Sequence, residues 1–146
     1  MPQTTFKAVY EDVKTALEAS GFVFSNTPFT IDETNLPMSG ENRFFAIEFQ
    51  TSNTDKFRDR QNGSAALQRV AHDLTVKMAF RIKPFDPLTT IQTLLDQEKV
   101  IIDKVVNPTT LASCRTLYRS SDRRLSSSKE FFFVDVEFGV EQSWTV

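Results

Sequence analysis

The feature that most constrains this fold is a thirteen-residue segment, 71–83, in which apolar and polar side chains alternate. Its apolar phase consists of His72, Leu74, Val76, Met78, Phe80 and Ile82. Period-two alternation predicts a β-strand with one face in the core and the other in solvent. A strand of this length needs paired neighbours, so the chain is expected to build a mostly antiparallel sheet around it.

Other segments supply the neighbouring strands. Residues 43–51 alternate in the same way, and residues 22–24 predict a short strand. The segments 114–119 and 131–140 predict a hairpin. A register that keeps both apolar faces of the hairpin together sets Arg115 opposite Asp135, which is an attractive cross-strand pair.

Two segments have helical periodicity. Residues 5–20 carry an apolar stripe and predict an amphipathic helix that Gly21 ends. A second helix begins at Asp86, a capping aspartate followed by a proline, and it ends before Pro108. Its apolar stripe consists of Leu88, Ile91, Leu94, Leu95, Ile101, Ile102 and Val105.

This order of elements predicts an α+β fold. We expect a two-layer sandwich, with two helices packed on one face of a mostly antiparallel sheet of four or five strands. The length fits a single domain, 1–146. Two long segments, 52–69 and 120–129, lack periodicity and are predicted to be flexible loops that stay solvated or become ordered against a partner.

Composition excludes several kinds of chemistry. The chain has one histidine, one cysteine and four scattered glycines, too few for a His/Cys metal site, a disulfide or a glycine-rich phosphate loop. We therefore expect no catalytic residue, cofactor or metal, and no enzyme activity. The formal net charge of −2 lacks the basic excess typical of nucleic-acid binders. No signal peptide or membrane-spanning segment is expected.

Two polar residues fall on apolar faces. His72 is predicted to be a hydrogen-bonded histidine at the end of the sheet. Glu98 lies within the apolar stripe of the second helix, where burial of an unpaired carboxylate would cost several kcal/mol of stability. An arginine partner or an interruption of the helix would explain it, and a subunit contact is the functional alternative. A small enzyme acting through His72 or Glu98 is a further alternative.

The two predicted loops contain four arginines that are candidate partner contacts: Arg58, Arg60, Arg123 and Arg124. Arginine pairs with carboxylate or phosphate groups. These residues fit a protein partner, a nucleic-acid-binding module or merely a solvated surface.

Phenylalanine is abundant, with 14 residues, and the hairpin alternation divides these residues between two faces. Phe131, Phe133 and Leu117 fall on the face opposite the predicted core, and Phe44 does the same in its own strand. Exposed contiguous apolar surface usually marks an interaction site. These four residues are therefore predicted to form a subunit interface of a symmetric homo-oligomer.

The order of parts resembles the tail terminator (tail completion) proteins of tailed bacteriophages, the family of the lambda minor tail protein U, and related neck proteins. The first helix ends in Gly-Phe at 21–22, and a strand and a long loop follow. The strand 71–83 then leads through Pro84 into a helix that ends in Val-Val at 105–106, and a hairpin closes the pattern. The resemblance covers residues 5–141.

The resemblance implies a homo-oligomeric ring, usually a hexamer, without enzyme activity or cofactor. Such a ring caps the tail tube, stops polymerisation of the tail tube protein and gives the head–tail connector protein a docking face. DNA would only pass through the lumen. By position, 52–69 and 120–129 would meet the tube and the connector. The protein would belong to the virion, in the tail or neck, after assembly in the host cytoplasm. A neck or head-completion connector of the same architecture is the alternative.

Overall fold

Two helices and five strands make up the fold. The computed structural model describes residues 5–25, 27–31, 43–51, 67–83 and 85–145. The elements are α1 (Phe6–Ala19), β1 (Val23–Phe24), β2 (Arg43–Thr51), β3 (Leu67–Arg81), α2 (Pro87–Val106), β4 (Cys114–Leu125) and β5 (Phe131–Thr145). One sheet has the order β1-β2-β3-β5-β4, and only the β1–β2 pair is parallel. The predicted α+β fold, with a mostly antiparallel sheet, is confirmed.

Both helices cover the same face of the sheet. Apolar residues of α1 and α2 form one core cluster with the alternate positions of β2, β3 and β5. The fully buried members include Val13, Phe45, Val76, Leu94 and Phe138. The face in contact with the helices is called the helix face below, and the other is called the second face.

Local sequence signals set the ends of the helices as expected. The Thr5 hydroxyl accepts a hydrogen bond from the Ala8 amide at 3.0 Å, and Asp86 accepts one from the Thr89 amide at 3.2 Å. These contacts satisfy amide groups that have no partner within the helix. After α1 the chain turns at Gly21, whose φ of 89° is easily reached only by glycine.

The hairpin differs from its prediction in both length and register. Because β4 continues to Leu125, most of the predicted loop 120–129 is strand, and the turn occupies 126–130. Arg115 lies opposite Glu141 rather than Asp135. A β-bulge between Tyr118 and Ser120 shifts the pairing by one residue. The polar residues 120–124 give no apolar alternation, so the sequence suggested a loop and hence a wrong register.

The segment before the central strand also differs from its prediction. Residues 52–66 of the predicted loop 52–69 lie outside the described residues, as do residues 32–42. Residues 67–69 of the predicted loop belong to β3. At its other end β3 stops at Arg81, two residues before the predicted end.

Candidate assembly surface

The predicted subunit interface lies on the predicted face, but three of its four residues are buried within the chain. Phe44, Phe131 and Phe133 belong to a small cluster on the second face, with exposures of 0%, 5% and 5%. Leu117 alone is exposed, at 66%. The expectation that these phenylalanines form an open apolar surface is therefore wrong.

Arginine side chains help to cover these rings. The Arg81 guanidinium lies 4.8 Å from the centroid of the Phe131 ring, and that of Arg124 lies 5.2 Å from the centroid of the Phe133 ring. The two rings stack at 6.3 Å. Ile31, which is 4% exposed, packs into the same cluster. Long arginine stems cover apolar surface while the charged head stays in water, and strand parity cannot reveal this arrangement.

The rest of the second face is charged. Three ion pairs cross between strands: Lys77 with Glu48 at 2.9 Å, Arg119 with Asp73 at 2.6 Å, and Arg124 with Asp135 at 3.0 Å. They border a shallow concavity of about 490 Å³. Each pair keeps some solvent contact, so each contributes little to stability.

Arg124 resolves a conflict of charge. Asp122 lies directly opposite Asp135 in the β4–β5 ladder, and like charges in that position destabilise a sheet. The Arg124 guanidinium reaches both carboxylates, at 3.6 Å and 3.0 Å. This predicted partner residue is therefore engaged within its own chain and lies on a strand rather than a loop.

Arg123 is engaged on the helix face. Its guanidinium donates to both carboxylate oxygens of Glu98, with the Nε–Oε1 distance at 2.8 Å and a second bond from Nη2 to Oε2. The Glu98 side chain is 6% exposed. The hydrogen bond to Glu98 raises the pKa of Arg123, so its guanidinium stays charged. The prediction that an arginine compensates Glu98 is confirmed, and the pair ties α2 to β4.

His72 is a structural residue, as predicted. It is fully buried, and its Nε2 lies 3.0 Å from Oε1 of Gln142. The Gln142 amide donates in turn to the Thr5 carbonyl at 3.1 Å. The imidazole also contacts the rings of Phe6 and Phe49, at 4.9 Å and 4.6 Å between centroids. This chain of contacts fixes the start of α1 on the sheet.

Several apolar residues of α2 remain exposed. The helix buries Thr90, Leu94, Glu98, Ile101 and Val105. The predicted stripe is therefore wrong on one side, because Leu88, Ile91 and Leu95 are 63%, 38% and 45% exposed. Leu95 and Ile91 lie three and seven residues before Glu98, so they project toward the same side of α2 as that residue. Since Glu98 reaches Arg123, this side looks toward β4.

Strand β4 adds more exposed apolar side chains beside this helix. In the part of the chain that the structure describes, β4 has one strand neighbour, β5, so its other side is an edge. Tyr118 and Leu125 are 38% and 48% exposed on the helix face. We call the combined surface the α2–β4 edge: Leu88, Ile91, Leu95, Tyr118 and Leu125. One feature of the sequence indicates this edge. The predicted apolar stripe of α2 has seven residues, which is too wide for one sheet to bury completely.

Two further features are absent from the described residues: a metal-binding cluster and a membrane-spanning helix. No group of three or more His, Cys, Asp or Glu side chains there could hold a metal ion. In the same residues neither helix is long and apolar enough to cross a bilayer. Arg58 and Arg60, the other two predicted partner contacts, lie outside them.

Neither the protein-family models nor the curated proteins contain a match to this chain.

Proposed function

We propose that this chain is a structural protein of a tailed-bacteriophage virion, a ring-forming tail terminator. It caps the tail tube, stops the tube from polymerising further and offers a docking face to the head–tail connector. The observation that carries the proposal is the α2–β4 edge, where exposed apolar side chains lie beside a strand whose outer side has no strand neighbour among the described residues. Such a surface is typical of a protein that binds other chains.

The two polar residues that were candidates for acid–base catalysis also support this proposal, because both are held in contacts that stabilise the fold. Glu98 is neutralised by Arg123, and His72 is hydrogen-bonded to Gln142. Each candidate general acid or base is thus tied to a contact that holds two elements together. The order of helices and strands on which the family resemblance rests is also present in the fold.

A nucleic-acid-binding module is less well supported. Of its four proposed arginines, Arg123 and Arg124 are bound to Glu98 and Asp135. Carboxylates also border the concavity of the second face, where they would repel phosphate. If DNA binding were the function, affinity would fall steeply with salt. A filter-binding titration of the full chain at low and moderate salt distinguishes this function from the proposed one.

The proposed function is tested by adding the full chain to tail tube protein from the same genome while tubes polymerise. We expect shorter tubes with a ring at one end, visible by electron microscopy. Leu88→Asp alters the α2–β4 edge and should reduce capping. Val100→Asp is the matched control, because Val100 is exposed on the opposite side of α2 and should cap normally.

Two results separate the alternatives. Unchanged tube lengths, with no sedimentation of the chain with tubes, would contradict the tail terminator. Binding to the connector protein but not to tubes would instead assign the chain to the neck.

A further inference from the structure

The long edge strand β4 leaves hydrogen-bonding groups available to another strand. It has 12 residues and pairs only with β5 among the described residues. A free edge of this kind is a template for pairing with another chain. The charges on β4 indicate which strand fits.

We infer that two copies of this chain pair through β4, antiparallel, about a twofold axis at Arg123. In this register Asp122 of each copy lies opposite Arg124 of the other. Both side chains are on the second face, so each pair brings opposite charges together across the new ladder. The strand is complementary to itself, and the occupant of the edge is therefore a second copy.

Neighbouring registers that keep the faces together are worse. With the axis at Asp122, the Asp122 carboxylates of the two copies lie opposite each other. With the axis at Arg124, the two Arg124 guanidinium groups do. Like charges directly opposite destabilise a sheet. Of the registers centred on these three residues, the one at Arg123 alone gives two attractive pairs.

Arg123 meets its own copy at this axis, but each guanidinium brings a counter-charge. Glu98 of the same chain holds it by two hydrogen bonds, so two neutral ion pairs meet rather than two bare cations. The Glu98–Arg123 link thereby permits this register.

The twofold axis also covers apolar surface. On the helix face, Leu125 of one copy lies opposite Ser121 of the other. The α2 flanks that carry Leu95 approach each other across the axis, since Glu98 on the same side of α2 already contacts the central Arg123. Leu95 and Leu125, which are 45% and 48% exposed in the single chain, become shielded.

This contact uses the same α2–β4 edge as the proposed function, but it does not depend on that function. A twofold contact closes on two copies, whereas a ring uses heterologous contacts between different patches. The pairing describes the free protein and caps its edge strand when no tail tube is present.

The test is charge complementation between two variants. Asp122→Arg sets arginine against arginine in a self-pair, and Arg124→Asp sets aspartate against aspartate. Mixed in equal amounts, the two variants regain both opposite-charge pairs. By analytical ultracentrifugation we expect a wild-type dimer, a dissociation constant raised about tenfold or more for each variant alone, and a heterodimer in the mixture.

Asp96→Arg is the control, because it makes the same charge change at an exposed position of α2 and should leave the dimer intact. Because Arg124 also contacts Asp135 and Phe133 in its own chain, circular dichroism melting is used to check that each variant is folded before its association is measured. A wild-type chain that stays monomeric at the highest concentration overturns the inference. So does a dimer unaffected by Asp122→Arg, or a mixture that forms no heterodimer. Tube capping by the wild-type chain is read separately, so either proposal can fail alone.

Discussion

At the residue scale, the stability of this fold depends on buried polar groups that have specific partners. Glu98 is the clearest case, a carboxylate with a 6% exposed side chain in the middle of a helix. Removing one partner of such a pair leaves a charge in the interior, which costs more than the pair itself contributes. The cost of a substitution therefore depends on which partner remains.

Arg123→Ala is expected to lower the free energy of unfolding by about 1–3 kcal/mol, because the buried carboxyl group of Glu98 loses its hydrogen-bonded partner. The figure is below that of a fully buried pair since Arg123 is 46% exposed. Urea unfolding followed by circular dichroism measures the change. Adding Glu98→Met to the same chain should recover most of the loss. A double variant no more stable than Arg123→Ala would contradict this account.

Cys114 provides a pH-dependent test. Burial raises the pKa of its thiol above the ordinary value of 9.0; a hydrogen bond with Ser113 opposes this rise, and the Asp12 carboxylate adds a smaller one. Because the folded pKa is the higher one, the contribution to stability is present below the unfolded pKa and is lost as pH rises through the folded pKa. Iodoacetamide alkylation measures the thiolate, and the single cysteine makes the signal unambiguous.

We expect the midpoint of the alkylation rate against pH to lie higher in the native chain than in urea. A native midpoint equal to or below the unfolded one would contradict the burial of the thiol.

At the element scale, the sequence predicts what alternation and capping encode. The strand around Val76 and the caps at Thr5 and Asp86 follow local rules, and the structure has them. Local rules do not predict the register of the hairpin, because the polar residues of β4 show no alternation that would indicate the length of this strand or the bulge after Tyr118. The exposure of side chains on the second face was wrongly predicted for a different reason. Parity assigns Phe133 to a face, but only tertiary contacts such as Arg124 decide whether that face is covered.

The same distinction predicts different effects at two positions of the second face. Phe133→Ala should lower the free energy of unfolding by about 3–5 kcal/mol, since the ring is buried and its removal leaves a cavity. Leu117→Ala should change it by about 0.5 kcal/mol or less, because that side chain is mostly exposed. Thermal and urea unfolding of both variants check this. Comparable losses at the two positions would refute the burial of Phe133.

At the scale of the whole molecule, the fold depends on contacts between distant parts of the chain. β5 lies between β3 and β4, and the Gln142 side chain on β5 reaches the Thr5 carbonyl before α1. Sheets built from such non-local pairs fold slowly, on about the millisecond-to-second scale. The helices pack on a face that exists only once β3 and β5 have paired.

We therefore expect the β3–β5 pair to form early in folding and α1 to dock late. Val76→Ala, in β3, should mainly slow refolding, and Val13→Ala, in α1, should mainly speed unfolding. Both residues are fully buried apolar positions, so the two substitutions are matched. Stopped-flow measurements in urea give both rates. The opposite assignment of the two rates would place α1 in the folding nucleus.

The position of β5 also has a consequence during synthesis on the ribosome. β4 leaves the ribosome before the strand that it pairs with, and the apolar sides of both helices emerge while the sheet beneath them is incomplete. Until the 15 residues of β5 have been made, the nascent chain has no finished core. A pause in translation shortly before β5 would prolong this exposure, and the chain would then depend on chaperones that shield apolar segments.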